Sequence, residues 1–165
     1  AAVDAAVDVL SRHGLRSFLV NGGGEIRVCS DGDKTWRIGI QIPEETARDS
    51  DYFHDRVISL KEGSISTSGS YRNFHKFGSN VYVHIVDPRS GQPLQSDTVS
   101  VTTWAPDCTS ADAWSTALFT LPAEAALALT ERMPDLECLI VLRPLPGTTT
   151  FRFLSSAGFA ARTRN

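Results

Sequence analysis

The sequence predicts an α+β fold: a mixed, largely antiparallel sheet with helices packed on one side. Three observations carry that expectation: a helical apolar repeat at the start, a long run of short strand-like segments through the middle, and helix-compatible stretches that return only near the end. A strictly wound parallel sheet would alternate the two patterns along the chain.

Val3, Ala6, Val7 and Leu10 recur at helical spacing and predict a first helix near residues 2–13, ended by Gly14. Residues 17–20 read as a short buried strand. It runs into Asn21-Gly22-Gly23-Gly24 and out through Glu25-Ile26-Arg27-Val28, a strand, a glycine turn and a strand. Trp36, Ile38, Ile40 and Ile42 alternate with Arg37, Gly39 and Gln41, the period of a strand with one packed face. Pro43 and the charged stretch 44–55 interrupt it. Further strands are expected at 57–60, 64–67, 81–86 and 98–103, each bounded by Gly, Pro, Asp or Ser. Helices follow at 110–120 and 123–133, with Pro122 as the break, and strands at 139–142 and 150–154 close the fold. No repeat or low-complexity linker divides the chain, so a single domain over residues 1–165 is expected.

With 165 residues, 41% hydrophobic and 21% charged, the chain can bury a real core. Its net charge of −3 and pI near 5.8, with no run of Lys and Arg, argue against a nucleic-acid partner. No stretch approaches the roughly 18 to 20 apolar residues of a membrane span, and the first residues lack a signal-peptide pattern, so a soluble chain with no transmembrane segment is expected. Cys29, Cys108 and Cys138 are odd in number and widely spaced, which supports neither a disulfide framework nor a zinc site and leans toward a reducing compartment.

Four constellations could carry chemistry. Asp112 and Thr116 sit four apart and so share one helical face, where a carboxylate and a hydroxyl suit Mg²⁺, a cation that prefers oxygen and is often held by few protein groups. The competing reading is a capping box, with Thr109 as cap and Asp112 closing it. In His84-Ile85-Val86-Asp87-Pro88-Arg89-Ser90-Gly91 a strand runs into an Asp-Pro turn that Gly91 completes. Its histidine either handles a proton beside a ligand or hydrogen-bonds its own turn. Gly22, Gly23 and Gly24 with Glu25 could let backbone amides approach a nucleotide, or form a plain hairpin turn; the spacing is not that of a dinucleotide fingerprint. The hydroxyl-rich Thr67-Ser68-Gly69-Ser70-Tyr71 reads as a polar turn that either binds phosphate or caps itself. Ser115 lacks a nucleophile elbow, no P-loop occurs, and the histidines are too scattered for a conventional metal cluster.

Taken in order, four segments resemble the ApbE family of FAD:protein FMN transferases: Val20-Asn21-Gly22-Gly23-Gly24-Glu25-Ile26-Arg27, Thr67-Ser68-Gly69-Ser70-Tyr71-Arg72-Asn73, the 84–91 segment, and Ala111-Asp112-Ala113-Trp114-Ser115-Thr116-Ala117. Trp36-Arg37-Ile38-Gly39-Ile40 is also similar to a family strand. The resemblance covers roughly residues 1–142. It implies Mg²⁺ on Asp112 and Thr116, a catalytic His84, and flavin-nucleotide contacts from Asn21, Gly22, Gly23, Gly24, Glu25, Thr67, Ser68 and Gly69. Ala2 aligns with a residue whose backbone carbonyl helps to hold the metal in relatives. Departures are Glu25 where aspartate is common, Gly22 where leucine is usual, and the long N-terminal region of relatives, which this chain lacks.

The resemblance further implies attack by a Ser or Thr hydroxyl of a target flavoprotein on the FMN-side phosphorus of FAD, with release of AMP. The alternatives are a module that binds or hydrolyses FAD without protein transfer, and a non-catalytic interaction domain. A second chain or a homo-oligomer is a candidate partner, and the family is often exported, leaving the cytoplasm and the periplasm as compartments.

Overall fold

The structure, a computed structural model, describes residues 2–44, 47, 48, 51–70, 74–77, 80–83 and 85–163, the segments 74–77 and 80–83 as backbone. Helix α1 (Ala2–Arg12) buries Val3 and Val7 on one stripe, with Asp4 in its first turn and Arg12 in its last, charges that suit the helix dipole. Gly14, at φ 84°, ends it in the left-handed conformation that glycine tolerates.

Six strands build the main sheet in the order β1-β2-β5-β8-β9-β10, and every pair among the described residues is antiparallel. They are β1 (Phe18–Asn21), β2 (Ile26–Cys29), β5 (Gly63–Gly69), β8 (Thr98–Ala105), β9 (Glu137–Leu142) and β10 (Arg152–Ser155). Two hairpins stand outside it: β3 (Trp36–Gln41) with β4 (Tyr52–Leu60), and β6 (Phe74–Phe77) with β7 (Asn80–Val83). Helices α2 (Cys108–Phe119) and α3 (Ala123–Thr130) follow β8, and α4 (Ala157–Thr163) follows β10. The α+β class and the antiparallel sheet agree with the expectation.

Strand alternation divides the core between the two faces of the sheet. Val101, Ala105, Cys138 and Ile140 meet Ala111, Leu118, Phe119 and Ala126 of α2 and α3. Val28, Ile65 and Leu139 face the other way, onto Ile38, Ile40, Ile58 and Leu60 of the β3–β4 hairpin and onto Phe159 of α4. Burying a side chain such as the fully enclosed Phe159 is worth about 1.5–3 kcal/mol over leaving it exposed.

Several boundaries differ from expectation. β4 starts at Tyr52, inside the charged stretch expected to interrupt the strands, because its outer half is mostly exposed and needs no apolar alternation. Tyr52 pairs with Gln41, and its ring lies over Gly39, where a Cβ would come within 2.7 Å of it. The 67–71 segment is not a turn from Thr67: β5 continues through Gly69, and the Ser70 amide donates to the Val99 carbonyl. The strand expected at 81–86 is β7 up to Val83. Helix α4, absent from the sequence reading, has seven residues and one buried side chain, too little for a periodic signal.

Candidate active site

Helix α2 presents Asp112 and Thr116 on one exposed face, one turn apart. The cap of this helix is not Thr109. Asp107, at φ −130° and ψ 159°, accepts from the Ser110 amide at 2.8 Å and the Ser110 hydroxyl at 2.7 Å. Thr109 lies inside the helix and donates its hydroxyl to Asp4 of α1 at 2.7 Å. The capping-box reading is thereby corrected: Asp112 closes no box, and its carboxylate makes no hydrogen bond or ion pair among the described residues.

Beneath this face a line of hydroxyls has a fixed direction. Ser115 Oγ donates to the Asp112 carbonyl oxygen at 2.9 Å. With its one proton committed, it accepts from Ser68 Oγ of β5 at 2.8 Å. Ser68 in turn accepts from Thr116 Oγ1 at 2.9 Å. Thr116 therefore points its proton at the strand and keeps both lone pairs on the outer side, beside Asp112. Ser115 is fully buried, so this line is anchored from below. Thr67 faces the opposite side of β5, where its hydroxyl meets Thr102 Oγ1 at 2.8 Å, and Gly69 ends the strand opposite Ser100.

The glycine segment is the β1–β2 hairpin turn. Asn21 Oδ1 accepts from the Gly23 amide at 3.1 Å and the Gly24 amide at 2.9 Å, while the Gly22 amide donates to the Glu25 carbonyl at 2.9 Å. These three amides thus serve the turn itself. Gly22 also lets α1 approach, since a Cβ there would stand 2.6 Å from Val3 Cγ2.

Asp4 joins these segments. Its carboxylate accepts from the Cys108 and Thr109 amides, each at 2.9 Å, from the Thr109 hydroxyl, and from Arg27 Nη1 of β2 at 2.9 Å. Burial alone would raise its carboxyl, but the hydrogen bonds from Thr109, Cys108 and Arg27 outweigh it and hold the group well below the usual carboxylate range. Ala2 is exposed, at the first residue of α1. Sequence reasoning gave Asp4 no site role, although it stands two residues after Ala2 in the first turn of α1.

His84 lies outside the described residues. The turn that follows it is built as the sequence implies: Asp87 accepts from the Arg89 amide at 3.0 Å, Arg89 Nε at 3.1 Å and Ser90 Oγ at 3.2 Å, and Gly91 takes φ 68°. The amide and guanidinium of Arg89 lower the Asp87 carboxyl. Asp87 and Arg89 share a shallow cleft with Thr120 and Pro122, which sets this turn beside the end of α2. No group of three or more His, Cys, Asp or Glu is gathered for a metal among the described residues. No helix among them is long and apolar enough to cross a membrane.

The chain is 34% identical over 133 residues to an FAD:protein FMN transferase of Escherichia coli K12, an alignment that takes in 79% of this chain and 37% of that protein. It is 32% identical over 171 residues to the FAD:protein FMN transferase of Treponema pallidum, covering 98% of this chain and 44% of the relative. Among solved structures, the ApbE protein of Thermotoga maritima superposes with a TM-score of 0.81 at 30% identity, over 99% of this chain and 50% of that one. The flavin transferase ApbE of Vibrio cholerae gives 0.77 at 30% identity, over 97% and 48%. The chain thus spans half or less of the length of these relatives. A family profile matches residues 1–140, and with the relatives it shows that this chain belongs to the ApbE family.

Proposed function

We propose that this chain carries the cation and phosphate side of an FAD:protein FMN transferase, moving FMN from FAD to a Ser or Thr hydroxyl of a target protein and releasing AMP. The observation that supports it is the directed line of hydroxyls, which leaves Thr116 Oγ1 as an acceptor beside a carboxylate that has no protein partner among the described residues. That donor set fits Mg²⁺, a hard cation commonly held by one or two protein oxygens together with substrate phosphate.

Asp112 and Thr116 would hold the ion, with the Ala2 carbonyl as a third candidate, and the ion would supply positive charge at the pyrophosphate. Ser68 keeps the Thr116 proton turned away from that charge. The acceptor oxygen forms a bond to the FMN-side phosphorus, the bond from that phosphorus to the AMP oxygen breaks, and the proton of the hydroxyl passes to His84. Asn21, the three glycines, Glu25, Ser68 and Gly69 are the candidate nucleotide contacts, while Thr67 turns to the opposite side of β5. With the turn amides engaged by Asn21 and Glu25, the Asn21 and Glu25 side chains would meet the nucleotide and the glycines would let it approach the backbone closely.

The test is incubation of FAD with the purified chain, with and without Mg²⁺, followed by chromatography for AMP and FMN. Mg²⁺-dependent AMP release that disappears in Asp112→Ala is the expected result. Retention of flavin without turnover would instead favour a binding module.

A further inference from the structure

Asp4 stands where three elements meet. Its carboxylate receives the first two amides of α2, the hydroxyl of Thr109 and the guanidinium of Arg27. The carboxylate of Asp107 caps the same helix from its own chain direction through the amide and hydroxyl of Ser110. The Cys108 and Thr109 amides are thus held by an acid 104 and 105 residues earlier. Asp4 and the cap Asp107 are thus two carboxylates that answer the positive end of that helix, one from α1 and one from its own chain. Asp112 lies one turn further along and Thr116 two turns, both on the rigid body that Asp4 fixes.

We infer that Asp4 is a positioning residue for the cation pair, pinning α2 to α1 and β2 so that Asp112 and Thr116 face the same point as the first turn of α1. The inference rests on the cation site proposed above. Asp4 touches no reacting atom. Its role is to hold a ligand-bearing helix, one step further out than the groups that hydrogen-bond metal ligands directly, whose loss weakens metal sites by about 10- to 100-fold. Arg27 extends the arrangement: it ties Asp4 to β2 at 2.9 Å, two residues after Glu25 of the glycine hairpin. One carboxylate therefore sets the relative placement of α1, the β2 end of the glycine hairpin and the helix that carries Asp112 and Thr116.

The experiment is a Mn²⁺ titration of the full chain followed by electron paramagnetic resonance, with hydrogen exchange at amides 108 and 109 and a thermal melt on each sample. The samples are the parent, Asp4→Ala, Asp4→Asn, Asp112→Ala and Phe159→Leu, the last a core change on the opposite face of the sheet. Asp4→Ala is expected to weaken Mn²⁺ binding about 10-fold or more and to speed exchange at 108 and 109. Asp4→Asn, which keeps an acceptor oxygen, is expected to recover part of the affinity. Phe159→Leu is expected to melt lower and bind as the parent does. Parent-like affinity in both Asp4 variants, with Asp112→Ala still weakened, would overturn the inference and leave the cation site standing. Binding that ignores Asp112→Ala would remove the cation site and the inference together. If Asp4→Ala does not fold, Asp4→Asn decides: weakened affinity supports the inference and parent-like affinity overturns it.

Discussion

Ser68 Oγ lies 2.9 Å from Thr116 Oγ1, so a strand residue 48 positions earlier determines which way the helix hydroxyl turns its proton. Ser68→Ala removes that acceptor and frees the Thr116 proton to swing toward Asp112. The expected outcome is a loss of Mg²⁺-dependent AMP release with little change in fold, and a stability cost of roughly 1–2 kcal/mol for the broken hydroxyl line. A denaturant melt and the chromatographic assay measure the two separately. Full activity in Ser68→Ala would remove the support for an oriented Thr116.

The Asp4 carboxyl is depressed in the folded chain, so it adds stability above its unfolded value and loses it as the pH falls toward the folded one. Acid destabilisation through this group should begin at about pH 4, where an unfolded aspartate protonates. Asp4→Asn should be less stable than the parent at neutral pH and should show a flatter acid limb below about pH 4. Thermal melts across pH 2–7 check this, and parallel curves for the two proteins would contradict it.

Gly158 lies against Glu137, and a Cβ there would clash with the carboxylate. That carboxylate accepts from Ser156 Oγ and from the Phe159 amide, and pairs with Arg162, so it cannot swing aside without releasing α4. Gly158→Ala should cost about 1–3 kcal/mol, as overpacking does. Phe159→Ala, which empties a fully buried ring site, should cost about 3–5 kcal/mol. Urea denaturation orders the two.

Burial, then the nearby Asp4 charge, pushes the Cys108 thiol up to about 11, and burial raises Cys138 as well. Cys29 is only partly covered. Iodoacetamide near pH 7.5 should therefore label Cys29 in the native chain and all three cysteines in urea, as read by mass spectrometry. Native labelling of Cys108 would show that the junction between α1 and α2 opens.

The sequence made legible what depends on neighbours in the chain. Helical spacing found α1, and alternation found β3, because Val3, Val7, Ile38 and Ile40 each face one buried side. The outer half of β4 escaped because its side chains are mostly exposed and carry no periodic signal. Thr109 was the natural cap by spacing alone. The actual cap lies two residues earlier, and Thr109 turns instead to an acid 105 positions away. The pairing of Asp112 with Thr116 was readable from a gap of four, whereas the Ser68 hydroxyl that orients Thr116 arrives through strand pairing and helix packing, which no local pattern encodes.

β8 serves both halves of the interior. Val101, Thr103 and Ala105 look toward α2, and Thr102 and Trp104 look toward the hairpin side. Slipping this strand by one residue would send every one of them to the wrong side at once, emptying two hydrophobic layers in a single step. Length variation among descendants of this chain should therefore spare 98–105 and collect in exposed connections such as 144–149, where an added residue reverses no face.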